Sequence, residues 1–513
     1  MSEDILAKIV RMRREDISRL GLNFGIEIPE KREVGHTEFL GNAGAILEVK
    51  RASPSKGDIA PDLDPVGLAT TYAEAHAQAV SVLTETNFFK GTLRDLIAVA
   101  NLMESRRKQG LHACAVLRKD FLLFEDEIDI AYRCGADAVL LIARILDDDQ
   151  LVRMAKRAAS FDMQAFVEVR ETDDLRKLKV VTEALGESAA KTIVAGVNSR
   201  DLATFHTDPL VPASVRSKLP AKAVFESGIL CPADATYARN LGFTGILVGE
   251  AVAKNPPLAK EVVHAFESGS ENARGKFWKK FAERKAAKKA GPLVKICGIT
   301  RDEDGLLAAE LGADMLGFVF STTKRLTTEE FVRSFAEKMR LCHPEQAQRV
   351  EGSPLLVGVI TDPESVEGKI AIKLAKEGVL DAVQLHGVDP SNLERHREHE
   401  VRSDLAYYCA ARVGEESDFD KVTALRKNGE PRILLDAKVE GIPGGTGKTI
   451  PENLLREKAG ELPLWLAGGI SPENVGEIVA KFHPELVDVS SGVEDAPGIK
   501  NSEKLKALFA ALS

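Results

Sequence analysis

The chain has 513 residues, 44% hydrophobic and 29% charged, with a formal net charge of −9. That length exceeds one ordinary core and suits about two units of roughly 250 residues each, while the acidic balance excludes a general nucleic-acid binder. Six cysteines (Cys114, Cys134, Cys231, Cys297, Cys342 and Cys409) are scattered with no C-x-x-C and no zinc spacing, which excludes a disulfide framework or a structural metal and fits reduced thiols in the cytoplasm.

In chain order, Met1-Ser2-Glu3-Asp4-Ile5-Leu6-Ala7-Lys8 alternates charge with apolar residues and offers no signal-peptide core, and no apolar run approaches membrane-spanning length. Ile5, Ile9, Met12 and Ile17 predict an amphipathic helix packed on whatever follows. Eight short apolar runs come next, at 45–49, 79–83, 113–117, 138–142, 165–169, 193–197, 223–225 and 245–248. Rich in Val, Ile and Ala, they read as strands buried on both faces, and their alternation with charged helical stretches implies a parallel sheet. Roughly eight such units in about 250 residues favour a closed (β/α)8 barrel over an open sheet.

Residues 268–291 read as a linker: Ser268-Gly269-Ser270 and neighbours, then a basic helix ending near Gly291-Pro292. The helix is either an RNA-binding patch or a solvated helix whose Phe277, Trp278 and Phe281 lean on a barrel; its charge run is short, which favours the second. Eight more runs follow, at 293–296, 315–320, 355–360, 382–385, 405–409, 432–435, 464–466 and 486–489. The fold class expected is α/β, two consecutive (β/α)8 barrels spanning 1–267 and 292–513.

Each half closes on two glycine-bearing strand ends. Glu226-Ser227-Gly228-Ile229 and Val248-Gly249-Glu250 end the first, while Ala467-Gly468-Gly469-Ile470 and Ser490-Ser491-Gly492-Val493 end the second. Loops after strands 7 and 8 of such barrels bind phosphate, because glycine admits close backbone approach and unpaired N–H groups favour an anion. Small phosphorylated substrates are therefore expected in both halves.

Strand ends in the first half bring Glu48 and Lys50, Lys119, Glu168, Asn198 and Arg200, and Glu226 to one mouth. Three carboxylates and two lysines converging there suit acid–base chemistry. Glu48-Val49-Lys50-Arg51-Ala52-Ser53-Pro54-Ser55, Ser81-Val82-Leu83-Thr84-Glu85, Leu117-Arg118-Lys119-Asp120-Phe121, Gly196-Val197-Asn198-Ser199-Arg200-Asp201-Leu202 and Glu226-Ser227-Gly228-Ile229 resemble indole-3-glycerol phosphate synthase. That family closes the indole ring of carboxyphenylamino-deoxyribulose phosphate with loss of carbon dioxide and water. The resemblance implies Lys119 as the acid on the ketone, with Glu168, Glu48 and Lys50 sharing the dehydration in an order the residues leave open. It implies Asn198 bonding the developing hydroxyl, Arg200 facing the substrate carboxylate, Glu226 holding a lysine, and Ser53, Ser227, Gly228, Gly249 and Glu250 binding substrate and its phosphate. A lysine acid works best with a pKa lowered toward neutrality.

In the second half, Lys295-Ile296-Cys297-Gly298-Ile299-Thr300, Val383-Gln384-Leu385-His386-Gly387, Gly444-Gly445-Thr446-Gly447, Leu466-Ala467-Gly468-Gly469-Ile470 and Ser491-Gly492-Val493-Glu494 resemble phosphoribosylanthranilate isomerase, which converts an aminoaldose to an aminoketose by Amadori rearrangement. The resemblance implies Asp436 as the acid on the ring oxygen and Cys297 as the base, with a nearby lysine favouring the thiolate. It places Arg325, Gln384, His386, Gly444, Gly445, Gly447, Gly468, Gly469, Ser491 and Gly492 around the substrate. Gly444-Gly445-Thr446-Gly447-Lys448-Thr449 mimics a nucleotide P-loop, but Ile442 stands where its first glycine belongs, so a loop over a sugar phosphate is expected instead. Thr323-Lys324-Arg325 replaces the family's usual Ser-Pro-Arg, keeping the arginine and losing the stiffness of proline. The expectation overall is a cytoplasmic monomer with no metal or organic cofactor, no nucleic acid and no membrane partner, catalysing consecutive steps of tryptophan biosynthesis.

Overall fold

The computed structural model describes residues 5–41, 43–54, 57–201, 206–341, 353–387, 405–438, 449–458 and 463–512. They form two compact units, Met1–Glu271 and Asn272–Ser513. Among the described residues no helix is long and apolar enough to cross a membrane.

The first unit is a closed eight-stranded parallel barrel. Its strands are β1 (Gly44–Val49), β2 (Ala79–Leu83), β3 (Ala115–Lys119), β4 (Ala138–Ile142), β5 (Gln164–Val169), β6 (Ile193–Asn198), β7 (Ala223–Glu226) and β8 (Gly245–Val248). β1 pairs with both β2 and β8, which closes the ring. Phe39 and Leu40 are buried beneath it, Phe39 against Phe166 with ring centroids 5.6 Å apart. The backbone N–H of Leu40 donates to the Gln164 side chain at 2.8 Å.

The second unit is also a closed barrel: β9 (Leu293–Cys297), β10 (Met315–Val319), β11 (Leu355–Ile360), β12 (Ala382–His386), β13 (Tyr407–Val413), β14 (Ile433–Ala437), β15 (Trp465–Ala467) and β16 (Leu486–Val489). The helix Ala273–Ala287, assigned from the sequence to a linker, is part of this unit. Asn272 caps it by accepting from Gly275 N–H. Phe277, Trp278 and Phe281 are buried; Phe277 stacks on Tyr408 at 5.9 Å, and Phe281 and Trp278 lie 4.6 and 5.9 Å from Trp465. Three lysines of this segment pair with acids of the barrel: Lys280 with Asp381 at 3.1 Å, Lys285 with Glu485 and, just past the helix, Lys288 with Asp314 at 2.8 Å. Phe277, Trp278 and Phe281 thus lean on a barrel, as the second of the two readings of this helix has it. Trp278→Ala is expected to destabilise the second unit by about 3–5 kcal/mol, as emptying a packed aromatic site does, read as a lower urea midpoint by circular dichroism; an unchanged midpoint would mean that the helix does not support this barrel.

Candidate functional site

Side chains alternate along a strand, so in a closed barrel every second residue points inward and the last of them reach the mouth. In the first unit, Lys119 ends β3, Glu168 lies near the end of β5, Asn198 ends β6 and Glu226 ends β7. Together with Glu48 and Lys50 they form one cluster. Glu48 lies 3.2 Å from both Lys50 and Lys119, and Lys119 lies 3.3 Å from Glu226. Space for Glu226 comes from its neighbour strand: a Cβ on Gly196 would stand 2.2 Å from Glu226 Oε1. A cavity of about 100 Å³ opens above, lined by Glu48, Lys50, Ser53, Lys119, Glu168, Asn198, Arg200 and Ser227.

The electrostatics separate the three carboxylates. Burial favours the neutral form of each, but for Glu48 the two lysines outweigh it and bring its pKa down to about 2. Glu168 is raised by burial, against Lys119 and a hydrogen bond with Asn198. Glu226 is raised by burial and by Glu168, with Lys119 opposing. For Lys119 the sequence suggested a lowered pKa; burial does act that way, but Glu48, Glu226 and Glu168 outweigh it and push the value up. Lys119 is therefore an ammonium in this site.

Of the substrate-binding residues expected here, Gly228, Gly249 and Glu250 lie outside the cavity wall. Ser227 and Gly228 both take positive φ. Gly249 faces Glu48, whose Oε1 would stand 2.6 Å from an added Cβ, and the Glu250 side chain pairs with Lys254 at 2.8 Å. The helix α1 (Ile5–Leu20), expected only to pack on the barrel, sits at the mouth, where Ile5, Leu6 and Ile9 face Phe89 and Phe121 across the cavity. Buried Arg13 anchors it through Asp120 at 2.6 Å and through Glu127. Arg13 falls four residues after Ile9, on the apolar stripe, and a cation at such a position was the available signal for a buried acidic partner.

In the second unit a cavity of about 430 Å³ is lined by Cys297, Arg325, Gln384, His386, Asp436, Gly468, Gly469 and Ser491, together with Arg412, Asp488 and Ser490, which were not singled out from the sequence. Cys297 pairs in register with Gly317, where an added Cβ would stand 2.7 Å from its Sγ. Two residues before it on β9, Lys295 bonds Asp488 at 2.6 Å and Gln384 at 2.9 Å, and Tyr408 OH donates to the same Gln384 oxygen at 2.9 Å. The register demands this layer, since Lys295 pairs with Asp488 and Gln384 with Tyr408. His386 Nε2 lies 3.3 Å from Asp436 Oδ2 and 3.5 Å from Arg412 Nε.

The thiol does not follow the sequence expectation: burial raises the Cys297 pKa, and Lys295 and Lys500 only partly offset it. Gly492 is not in the cavity wall; it lets the chain pass Ile470, whose carbonyl oxygen would stand 2.0 Å from an added Cβ. Gly444, Gly445 and Gly447 lie outside the described residues.

Both halves match family models: residues 27–265 the one described as indole-3-glycerol phosphate synthase, and residues 294–511 the one described as N-(5'phosphoribosyl)anthranilate (PRA) isomerase. A multifunctional tryptophan biosynthesis protein of Schizosaccharomyces pombe is 33% identical over 91% of this chain, which spans 59% of that protein's length. A tryptophan biosynthesis protein of Phytophthora nicotianae is 30% identical over 99% of this chain and 96% of its own length. An indole-3-glycerol phosphate synthase of Roseiflexus is 38% identical over 42% of this chain and 78% of its own. The chain therefore belongs to the tryptophan biosynthesis family in which an indole-3-glycerol phosphate synthase module is followed by a phosphoribosylanthranilate isomerase module.

Proposed function

We propose that the chain is a cytoplasmic monomer catalysing two consecutive steps, with small phosphorylated substrates at both mouths: the second barrel isomerises N-(5-phosphoribosyl)anthranilate to 1-(2-carboxyphenylamino)-1-deoxyribulose 5-phosphate, and the first converts that product to indole-3-glycerol phosphate. The observation that carries the reading is the placement of acid–base groups at the strand ends of both matched barrels: Lys119 between Glu48 and Glu226 in one, Cys297 and Asp436 around one cavity in the other.

In the isomerase step Asp436 protonates the furanose ring oxygen, the C1–O bond breaks, and the anilino nitrogen lone pair completes an iminium. Cys297 then takes the C2 proton, giving an enolamine that tautomerises to the ketone. Burial opposes the thiolate, so the ammonium of Lys295 is the group that eases this deprotonation. Gly468, Gly469 and Ser491 line the same cavity and receive the phosphate, with Gln384 and His386 toward the sugar.

In the synthase step the Lys119 ammonium protonates the ketone oxygen as the carboxylate-bearing aromatic carbon bonds to the ketone carbon; carbon dioxide then leaves, and the resulting hydroxyl is lost as water. Glu48, held as an anion, fixes Lys50 and Lys119; Glu168, whose pKa is raised, is the better proton carrier for dehydration, because proton transfer is most efficient near the working pH. Asn198 and Arg200 bind the hydroxyl and carboxylate, and Ser53 and Ser227, which line the same cavity, hold the phosphate end. The purified chain supplied with phosphoribosylanthranilate is expected to release indole-3-glycerol phosphate. Lack of turnover of either supplied intermediate would remove the corresponding half of the reading.

A further inference from the structure

Arg325 stands on the loop after β10, where Thr323-Lys324 provides no proline stiffness. Its guanidinium is nevertheless fixed. Nε lies 3.0 and 3.1 Å from the two oxygens of Glu494, and Nη2 lies 2.7 Å from Oε2. Glu494 is buried, and its Oε1 also accepts from Lys500 Nζ at 2.8 Å and from Gly498 N–H at 3.2 Å. The side chain of Lys500 is wholly buried. It donates onward to the carbonyl of Cys297 at 2.5 Å and the carbonyl of Ser490 at 3.2 Å.

One ammonium thus ties the end of β9, which carries the thiol, to the end of β16, which carries Ser490 and Ser491. Through Glu494 it also reaches the arginine. The short hairpin Glu494–Ala496/Ile499–Lys500 that bears both charges is itself fastened, since Lys500 N–H donates to Asp304 at 2.9 Å and Arg301 donates to Lys500 O at 3.2 Å. Arg325 lines the cavity, and its Nη1 takes part in none of these three bonds to Glu494. A guanidinium held along one edge keeps donors for a carboxylate and has less side-chain freedom to lose on binding.

We propose that Glu494 and Lys500 are positioning residues that aim Arg325 at the benzoate carboxylate of the substrate and keep it in register with Cys297; the inference rests on the isomerase reading above. In this chain the charged clamp supplies the rigidity that the loop sequence lacks.

The test uses the full chain with Glu494→Gln, Glu494→Ala and Lys500→Met. The probes are reduced 1-(2-carboxyphenylamino)-1-deoxyribulose 5-phosphate and its anilino counterpart without the carboxylate, titrated into the protein with isomerase kinetics run alongside. Glu494→Ala is expected to weaken the carboxylate-bearing probe about 10–100-fold, the range for losing a charged hydrogen-bond partner. Binding of the anilino probe should stay within about threefold. Glu494→Gln, which keeps one acceptor and the shape, should fall between wild type and Glu494→Ala and keep the fold if Lys500→Met does not. Equal weakening of both probes, or no weakening of either, would overturn the inference while leaving the isomerase reading intact. A wild-type chain that neither isomerises nor binds either probe would instead overturn that reading.

Discussion

Lys119→Ala is expected to lower kcat/KM for indole-ring formation by about 10³-fold or more while leaving isomerisation within about twofold. The size follows from the position of the ammonium, the one group bonded to both Glu48 and Glu226 at the head of the cavity. A positioned general acid contributes roughly 10²–10⁴-fold, and its charge also stabilises the oxyanion as the new carbon–carbon bond forms. The substitution has a second effect. It leaves two buried carboxylates facing a vacant centre, and removing one partner of a buried ion pair costs about 3–5 kcal/mol unless the survivors protonate. The variant should therefore show a raised pKa for Glu48, whose value of about 2 depends on the two lysines. With supplied carboxyphenylamino-deoxyribulose phosphate, a rate near wild type would eliminate Lys119 as the acid.

Cys297→Ala should do the reverse, lowering isomerisation by about 10³–10⁴-fold and leaving ring closure from supplied intermediate unchanged. Among the described residues Cys297 is the one sulfur in the wall of the second cavity, and Gly317 makes room for it, since an added Cβ there would stand 2.7 Å from its Sγ. Asp436→Asn, which keeps the volume but cannot give up a proton, should fall within tenfold of the same loss. Because the buried thiol must ionise to act, the wild-type rate should rise with pH through the thiol's titration, and that rise should vanish in the alanine variant. Retention of isomerase activity by Cys297→Ala would move the base to another group.

The strands were legible, but their ends were placed short where the chemistry lies. Runs read as stopping at Phe225, Ile296, Leu385 and Leu435 continue in the ladder to Glu226, Cys297, His386 and Ala437. Likewise Arg118 and Lys119 pair with Val82 and Leu83 although they look like loop. Apolar patterning detects burial, and at a barrel mouth the final ladder residues are polar because they face substrate. The opposite error occurs at the other end: Leu405 and Ala406 are buried yet precede β13, whose strand begins at Tyr407.

The site was legible as residue types and not as partnerships. Glu48, Lys119 and Glu226 were each visible as strand-end charges, whereas the direction of the Lys119 shift depends on three carboxylates around one ammonium, which a linear reading does not weigh. Asp488 stood beside a recognised motif and Glu494 ended one, but their partners, Lys295 and Arg325, are 193 and 169 residues away. Such pairings exist only once the barrel has closed.

The chain has two tryptophans, Trp278 and Trp465, and both belong to the aromatic floor of the second barrel, 5.9 Å apart. Indole emission from this protein is consequently a signal from one unit alone. Melting followed at that emission reports the second unit, while far-ultraviolet ellipticity reports both units. The separation of the two curves measures how independently the modules unfold, without cutting the chain or adding a label.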